Sequence, residues 1–234
     1  MQCHWRMMFS VMTSMVVLCG AVQAGELRVG LAEADITPPV GFPMAGYYHE
    51  RLAEGTIDPL KARAVVFRGT TEQAAWVVCD LIGISADLGR AIRTRASEKT
   101  GIPVSNIVVS ATHSHTAPDY TKELVRVLDK ANPDPLRAGY IEKLINGPAD
   151  AIIRAHGSAE ASLLESGSVV QQVPVSFNRR FVMRDGSVRT WMNLQNPDVV
   201  RAAGPIDPEI GLLAIRSATG SPRGVISNFA LHLD

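Results

Sequence analysis

The stretch Asn106-Ile-Val-Val-Ser-Ala-Thr-His-Ser-His-Thr-Ala-Pro-Asp119 sets the frame for the whole chain. Asn106 to Ala111 is a short apolar run between polar turns, which reads as a buried strand. It leads directly into His113-Ser-His115, and the loop after a strand is where open α/β sheets expose functional groups. In extended backbone, residues two apart point to the same side, so both imidazoles can face one cavity. Imidazole is a preferred zinc ligand, but zinc takes three or four ligands, so two histidines do not hold a catalytic zinc alone. The other reading is a polar loop with two solvated histidines.

Upstream, Ala62 to Phe67 and Ala74 to Ile84 are Val-rich runs separated by Arg68-Gly-Thr-Thr-Glu-Gln73. They read as a hairpin whose second strand is buried on both faces. Ser85 offers an N-cap, and helical spacing then runs up to Gly101, the usual kind of stop. Leu27 to Ile36 reads as the first strand, broken by Thr37-Pro38-Pro39, and Gly41 to Tyr48 as irregular. Downstream, helices are expected over 121–131 and from Leu136 to about Ala155, the second kinked or divided at Gly147-Pro148. Beyond Ala159 the pattern turns to strands: Ala159 to Val170, Val182 to Met192 folded at Arg184-Asp-Gly-Ser, then Glu209 to Arg216 paired with Gly224 to Leu233. This order predicts a mixed α/β fold, a β-sheet core flanked by helices. No repeat or linker divides residues 25–234.

The chain has 234 residues, 46% hydrophobic and 20% charged, with 23 basic and 23 acidic side chains. That composition excludes disorder as the main character, and the neutral balance gives no footprint for nucleic acid or an anionic membrane. Residues 1–24 differ from the rest. Arg6 is the sole charged residue before Glu26, the stretch from Met7 to Val22 is mostly apolar, and Val22-Gln23-Ala24 makes a small-residue exit. This is a signal-peptide pattern, with export to the periplasm or exterior expected. The apolar part is short for a membrane span, and no later run is long enough, so no transmembrane segment is expected in the mature chain. A lipoprotein anchor at Cys19 is disfavoured by the bulky Leu18 before it. Cys79 is then alone, in an apolar run where a buried, inert thiol is expected.

Gly-x-Ser-x-Gly, His-Glu-x-x-His, Cys-x-x-Cys and phosphate-loop patterns are all missing. His49 sits in a polar loop, and His156 follows a helix, as a surface cap would. His232 lies in an apolar run between Leu231 and Leu233, either as a hydrogen-bonded core residue or as a ligand. Asn178-Arg179-Arg180 follows an extended segment. An Arg held there can fork onto a carboxylate or a developing oxyanion, or it can be a solvated strand end.

Taken together, six pieces in order resemble the neutral/alkaline, non-lysosomal ceramidase family. They are Ala34-Asp-Ile-Thr-Pro-Pro-Val-Gly with Met44-Ala-Gly-Tyr, Asp58-Pro-Leu-Lys-Ala-Arg-Ala-Val-Val, Cys79-Asp-Leu-Ile-Gly-Ile-Ser, Ser110-Ala-Thr-His-Ser-His-Thr-Ala-Pro-Asp, Phe177-Asn-Arg-Arg and Asn228-Phe-Ala-Leu-His. The resemblance spans about residues 27–234. It implies a zinc-dependent amidase that hydrolyses the N-acyl bond of ceramide or a related N-acylated lipid. It assigns His113 and His232 as zinc ligands, and it places His115 and Arg179 at the catalytic site. His115 would protonate or polarise near the scissile amide, and Arg179 would orient substrate or the oxyanion.

The family completes its zinc site with a Glu and a Tyr much further along, and its Gly-Asp-x-Ser-Pro-Asn segment also lies later. The sequence given ends at Asp234. Ala117 and Asp119 also stand where the family tends to have Gly. The leading expectation is an N-terminal fragment of an exported zinc amidase. The alternatives are a stand-alone hydrolase completed by Asp119 or Glu50, and a non-catalytic exported binding protein on the same scaffold.

Overall fold

In the computed structural model, residues 26–128, 135–190, 193 and 195–232 are described. The signal segment expected at 1–24 lies outside them, as do 129–131 of an expected helix and Trp191, Met192 and Leu233 at two strand ends. Strand β1 (Arg28–Asp35) stops at Thr37-Pro38-Pro39, where the chain turns. The Gly-rich stretch that follows carries a two-residue ladder, β2 (Pro43–Met44) with β3 (Arg51–Leu52), where only irregular chain was expected. Strands β4 (Lys61–Arg68) and β5 (Gln73–Cys79) form the expected hairpin. β5 is buried on one face only: Ala75, Val77 and Cys79 are buried, while Trp76 and Val78 are half-buried.

Helix α1 (Ala86–Thr100) begins where Ser85 Oγ accepts the Leu88 amide at 3.2 Å. It ends at Gly101, whose φ of 74° suits a residue without Cβ. Replacing Ser85 with Ala should cost about 1 kcal/mol, read as a lower urea midpoint with an unchanged slope. A 3-10 turn at Val104–Asn106 leads into β6 (Ile107–Ala111), which pairs parallel with β5.

Helices α2 (Thr121–Leu128) and α3 (Pro135–Gly157) follow. α3 is not divided at Gly147-Pro148: it runs through as one helix. Pro148 removes a hydrogen bond to the Leu144 carbonyl, a cost of about 3 kcal/mol. Burial of Leu144, Pro148, Ala149, Ala151 and Ile152 against the sheet offsets it. Gly147 allows the approach, since a Cβ there would come within 3.2 Å of Ile36 Cγ2.

The remaining strands are β7 (Glu160–Val170), β8 (Arg180–Met183), β9 (Val188–Thr190), β10 (Val199–Ala202), β11 (Glu209–Ser217) and β12 (Pro222–Phe229). β8 and β9 are the hairpin expected around Asp185-Gly-Ser. β10 completes their three-stranded sheet and was not foreseen. The large sheet has seven strands in the order β12-β11-β7-β1-β4-β5-β6. Its helix-side face, with Ala62, Ala64, Val66, Ala75, Val77 and Cys79, packs on Leu88, Ile92, Ile141, Leu144 and Ile152. None of the described helices is long and apolar enough to cross a membrane.

The other end of the sheet folds back. β7 pairs with β1 at only two positions, Arg28↔Ala161 and Val29↔Glu160. β12 then crosses the face of β1 and β4 away from the helices. Arg223 donates to the Val29 carbonyl at 2.8 Å, Gly224 lies against Leu31, and Ile226 joins a cluster with Val29, Val65, Phe67, Trp76 and Ile215. This fold-back carries the chain after β12 toward the far edge of the sheet.

Candidate metal centre

The loop after β6 is held against the extension of β5. The Thr112 amide donates to the Cys79 carbonyl at 3.0 Å, and the Ser114 amide to the Leu81 carbonyl at 3.0 Å. Between them His113 takes a positive φ of 64°, the one such non-glycine among the described residues. Left-handed backbone at a side-chain-bearing residue costs of order 1–3 kcal/mol and persists where surroundings impose it. The turn aims Nδ1 at the Ile82 carbonyl, 2.7 Å away. A carbonyl oxygen only accepts, so Nδ1 carries the proton and the Nε2 lone pair is left free. The two histidines therefore do not share a side through extended alternation. A left-handed turn brings them together.

His115 is held by the loop that contains β2. The Ala45 amide donates to the Ala117 carbonyl at 2.8 Å, and the Asp119 amide to the Pro43 carbonyl at 2.8 Å. His115 Nδ1 lies 2.9 Å from the Gly46 carbonyl, which fixes the same tautomer as in His113. Gly46 has φ of 99°, and a Cβ there would lie 2.9 Å from Cα, Cβ and Nδ1 of His115. Only glycine fits.

His232 lies past the end of β12 at Phe229, not within a strand as the apolar run suggested. Its Nε2 is 3.1 Å from His115 Nε2, and its ring centroid is 5.0 Å from that of His113. One ring nitrogen from each of His113, His115 and His232 lies within 4.8 Å of the others. Ligand nitrogens of a tetrahedral zinc with bonds of about 2.0–2.1 Å lie roughly 3.3 Å apart, so the residues fit the ion. Backbone carbonyls that fix the tautomer of ligating imidazoles are the usual outer support of such sites.

Asp119, Glu50 and His156 are not among the three clustered residues. Arg179 is half-buried immediately before β8, next to Asn178, whose Oδ1 accepts the Arg180 amide at 3.0 Å. Asp119 and Glu50, the alternative donors, are not in the cluster: Asp119 Oδ1 accepts from the Thr121 hydroxyl, and Glu50 lines a cleft between residues 50–58 and a wall that includes Thr37, Met44 and Thr116. His156 is in the last turn of α3, with Nε2 2.9 Å from Gln73 Oε1. Burial, with the Asp80 charge beside it, pushes the Cys79 thiol up to about 12, so it is an inert core thiol as expected.

Three supports escaped sequence reading: the carbonyls of Ile82 and Gly46, and the side chain of Arg51. Main-chain acceptors leave no signature in residue type. Gly46 did stand inside a recognised motif, Met44-Ala-Gly-Tyr.

The fold and cluster define a mixed α/β domain with a metal-competent histidine centre at a strand end. Residues 27–233 match the model for the N-terminal part of the neutral/alkaline non-lysosomal ceramidases, and the chain belongs to that family. It is 29% identical over 220 residues to the neutral ceramidase of Pseudomonas aeruginosa, covering 88% of this chain and 30% of that protein. It matches the crystal structure of neutral ceramidase from the same organism with a TM-score of 0.63 at 24% identity, over 89% of this chain and 32% of the other. A structure of a ceramidase complexed with C2 matches with a TM-score of 0.64 at 25% identity, over 89% and 31%. The chain thus spans about 30% of the length of these relatives. The mixed sheet-and-helix fold expected from sequence is the one these matches share.

Proposed function

We propose that this chain carries the histidine side of a zinc-dependent hydrolytic site for the N-acyl bond of ceramide or a related N-acylated lipid. The observation that carries the reading is the pair of Nδ1-to-carbonyl hydrogen bonds, which turn His113 and His115 into Nε2 donors facing His232. Zinc, when bound, supplies Lewis acidity toward a carbonyl and makes water nucleophilic near neutral pH. His113 and His232 would hold the ion, and His115 Nε2, 3.1 Å from that of His232, would offer a third donor. The resemblance gives His115 a different duty, passing a proton to the departing amine, which would require Nε2 to be protonated and off the ion. Arg179 supplies a guanidinium fork suited to the developing oxyanion. The Glu and Tyr ligands that the resemblance implies lie outside the stretch matched here. Residues 1–24 direct export.

The test is a zinc titration of the purified chain, followed by imidazole NMR, with fatty-acid release from ceramide in detergent micelles measured alongside. One zinc per chain is expected, and any release should stop on chelation. Absence of bound zinc, or release that survives chelation, overturns the proposal.

A further inference from the structure

We propose that Arg51 is a positioning residue for His115, acting on the main chain that carries the imidazole and not on the ring. Its Nη2 donates to the His115 carbonyl at 2.8 Å and to the Ala45 carbonyl at 3.2 Å. The guanidinium lies over the Tyr47 ring, 3.7 Å from its centroid, and the Tyr47 ring stands edge-on to the His115 ring at 6.3 Å. Among the described residues Arg51 makes no ion pair, so its charge is directed at carbonyl oxygens instead of a carboxylate. Such charge-assisted bonds from a rigid fork set geometry better than a flexible ammonium does.

The need for this clamp follows from the local fold. β2 and β3 pair over two residues only. The bonds from the loop to the His115 segment, at Ala45–Ala117 and Pro43–Asp119, lie before Gly46, which leaves its carbonyl side to be tied by Arg51. That loop supplies the Gly46 carbonyl that sets the His115 tautomer. Arg51 ties the residue before Gly46 to the carbonyl of His115 itself. It thereby fixes donor and acceptor of that hydrogen bond relative to each other. His113 is an internal control, because its acceptor, Ile82, belongs to the β5 extension and not to this loop.

The metal readout below rests on the proposed zinc site, and the tautomer readout does not. Long-range proton–nitrogen spectra of the metal-free chain should show His113 and His115 both as Nδ1–H forms. In Arg51→Ala, His115 should move to a tautomer mixture while His113 is unchanged, and cobalt(II) affinity should fall about tenfold. Arg51→Lys should recover part of both. Tyr47→Leu, which removes the ring beneath the guanidinium, should act in the same direction if Arg51→Ala fails to fold. An unchanged His115 tautomer in either folded variant overturns the proposal, as does an equal change at His113. If the wild-type chain binds no cobalt, the zinc reading fails, and the tautomer comparison still decides the role of Arg51.

Discussion

Alanine at His232 is expected to weaken zinc binding by this chain at least about 100-fold. Structural zinc sites bind with about 10–16 kcal/mol, so each of four ligands carries roughly 3 kcal/mol, about two decades of affinity. His113→Ala should cost as much. His115→Ala should match them, because its Nε2 lies 3.1 Å from that of His232 and the chain offers three imidazoles at one point. Calorimetric titration, or competition with a chelator of known affinity, reads all three. A loss at His115 of tenfold or less would return that residue to the proton-carrying duty the family resemblance gives it, with His113 and His232 as the ligands. A small loss at His232 would remove the basis of the metal site. The three variants should leave the fold largely intact, since His113 is exposed and the other two are half-buried.

The sequence showed what is local. α1 was legible at both ends because Ser85 and Gly101 act through their own neighbours, and the β4–β5 hairpin was legible from two apolar runs and a polar turn. His113 and His115 stood out for the same reason, as metal-type residues after an apolar strand. What was hidden depends on contacts far apart in the chain. His232 was visible as an odd residue among apolar ones. Its meeting with His115, 117 positions away, depends on β12 folding back across β1, which no periodicity encodes. The positive φ at His113 is imposed by the Cys79 and Leu81 carbonyls on either side of it. Arg51 looked like an ordinary loop charge until the partner of its guanidinium proved to be a carbonyl 64 positions on. Pro148 reads as a helix breaker from its own chemistry, and burial in the core outweighs that chemistry.

Gly30→Ala is expected to be the most damaging single-methyl change in the sheet, destabilising the chain by about 3 kcal/mol, at the upper end for overpacking. Gly30 sits on β1 beneath the C-terminal turn of α3, and a Cβ there would fall on the carbonyl of Ala155. The obstacle is backbone, not the end of a flexible side chain, so no rotamer change relieves it. α3 must lift from the sheet, and α3 is the helix that covers β1, β4 and β5. Lifting it loosens Ile141, Leu144 and Ile152 from Ala64, Val66 and Val77. Gly211→Ala on β11 is the matched control: its nearest neighbour, the Asn228 carbonyl, is 3.9 Å from the added Cβ, ordinary contact. There the restricted unfolded chain should leave stability unchanged or raise it by about 0.4–1 kcal/mol. Urea unfolding of the two variants should therefore move the midpoint in opposite directions, or move it only for Gly30. Equal stability of Gly30→Ala and wild type would mean that α3 does not approach β1 this closely. In that case the support of β5, whose extension holds His113, would have to come from elsewhere in the sheet.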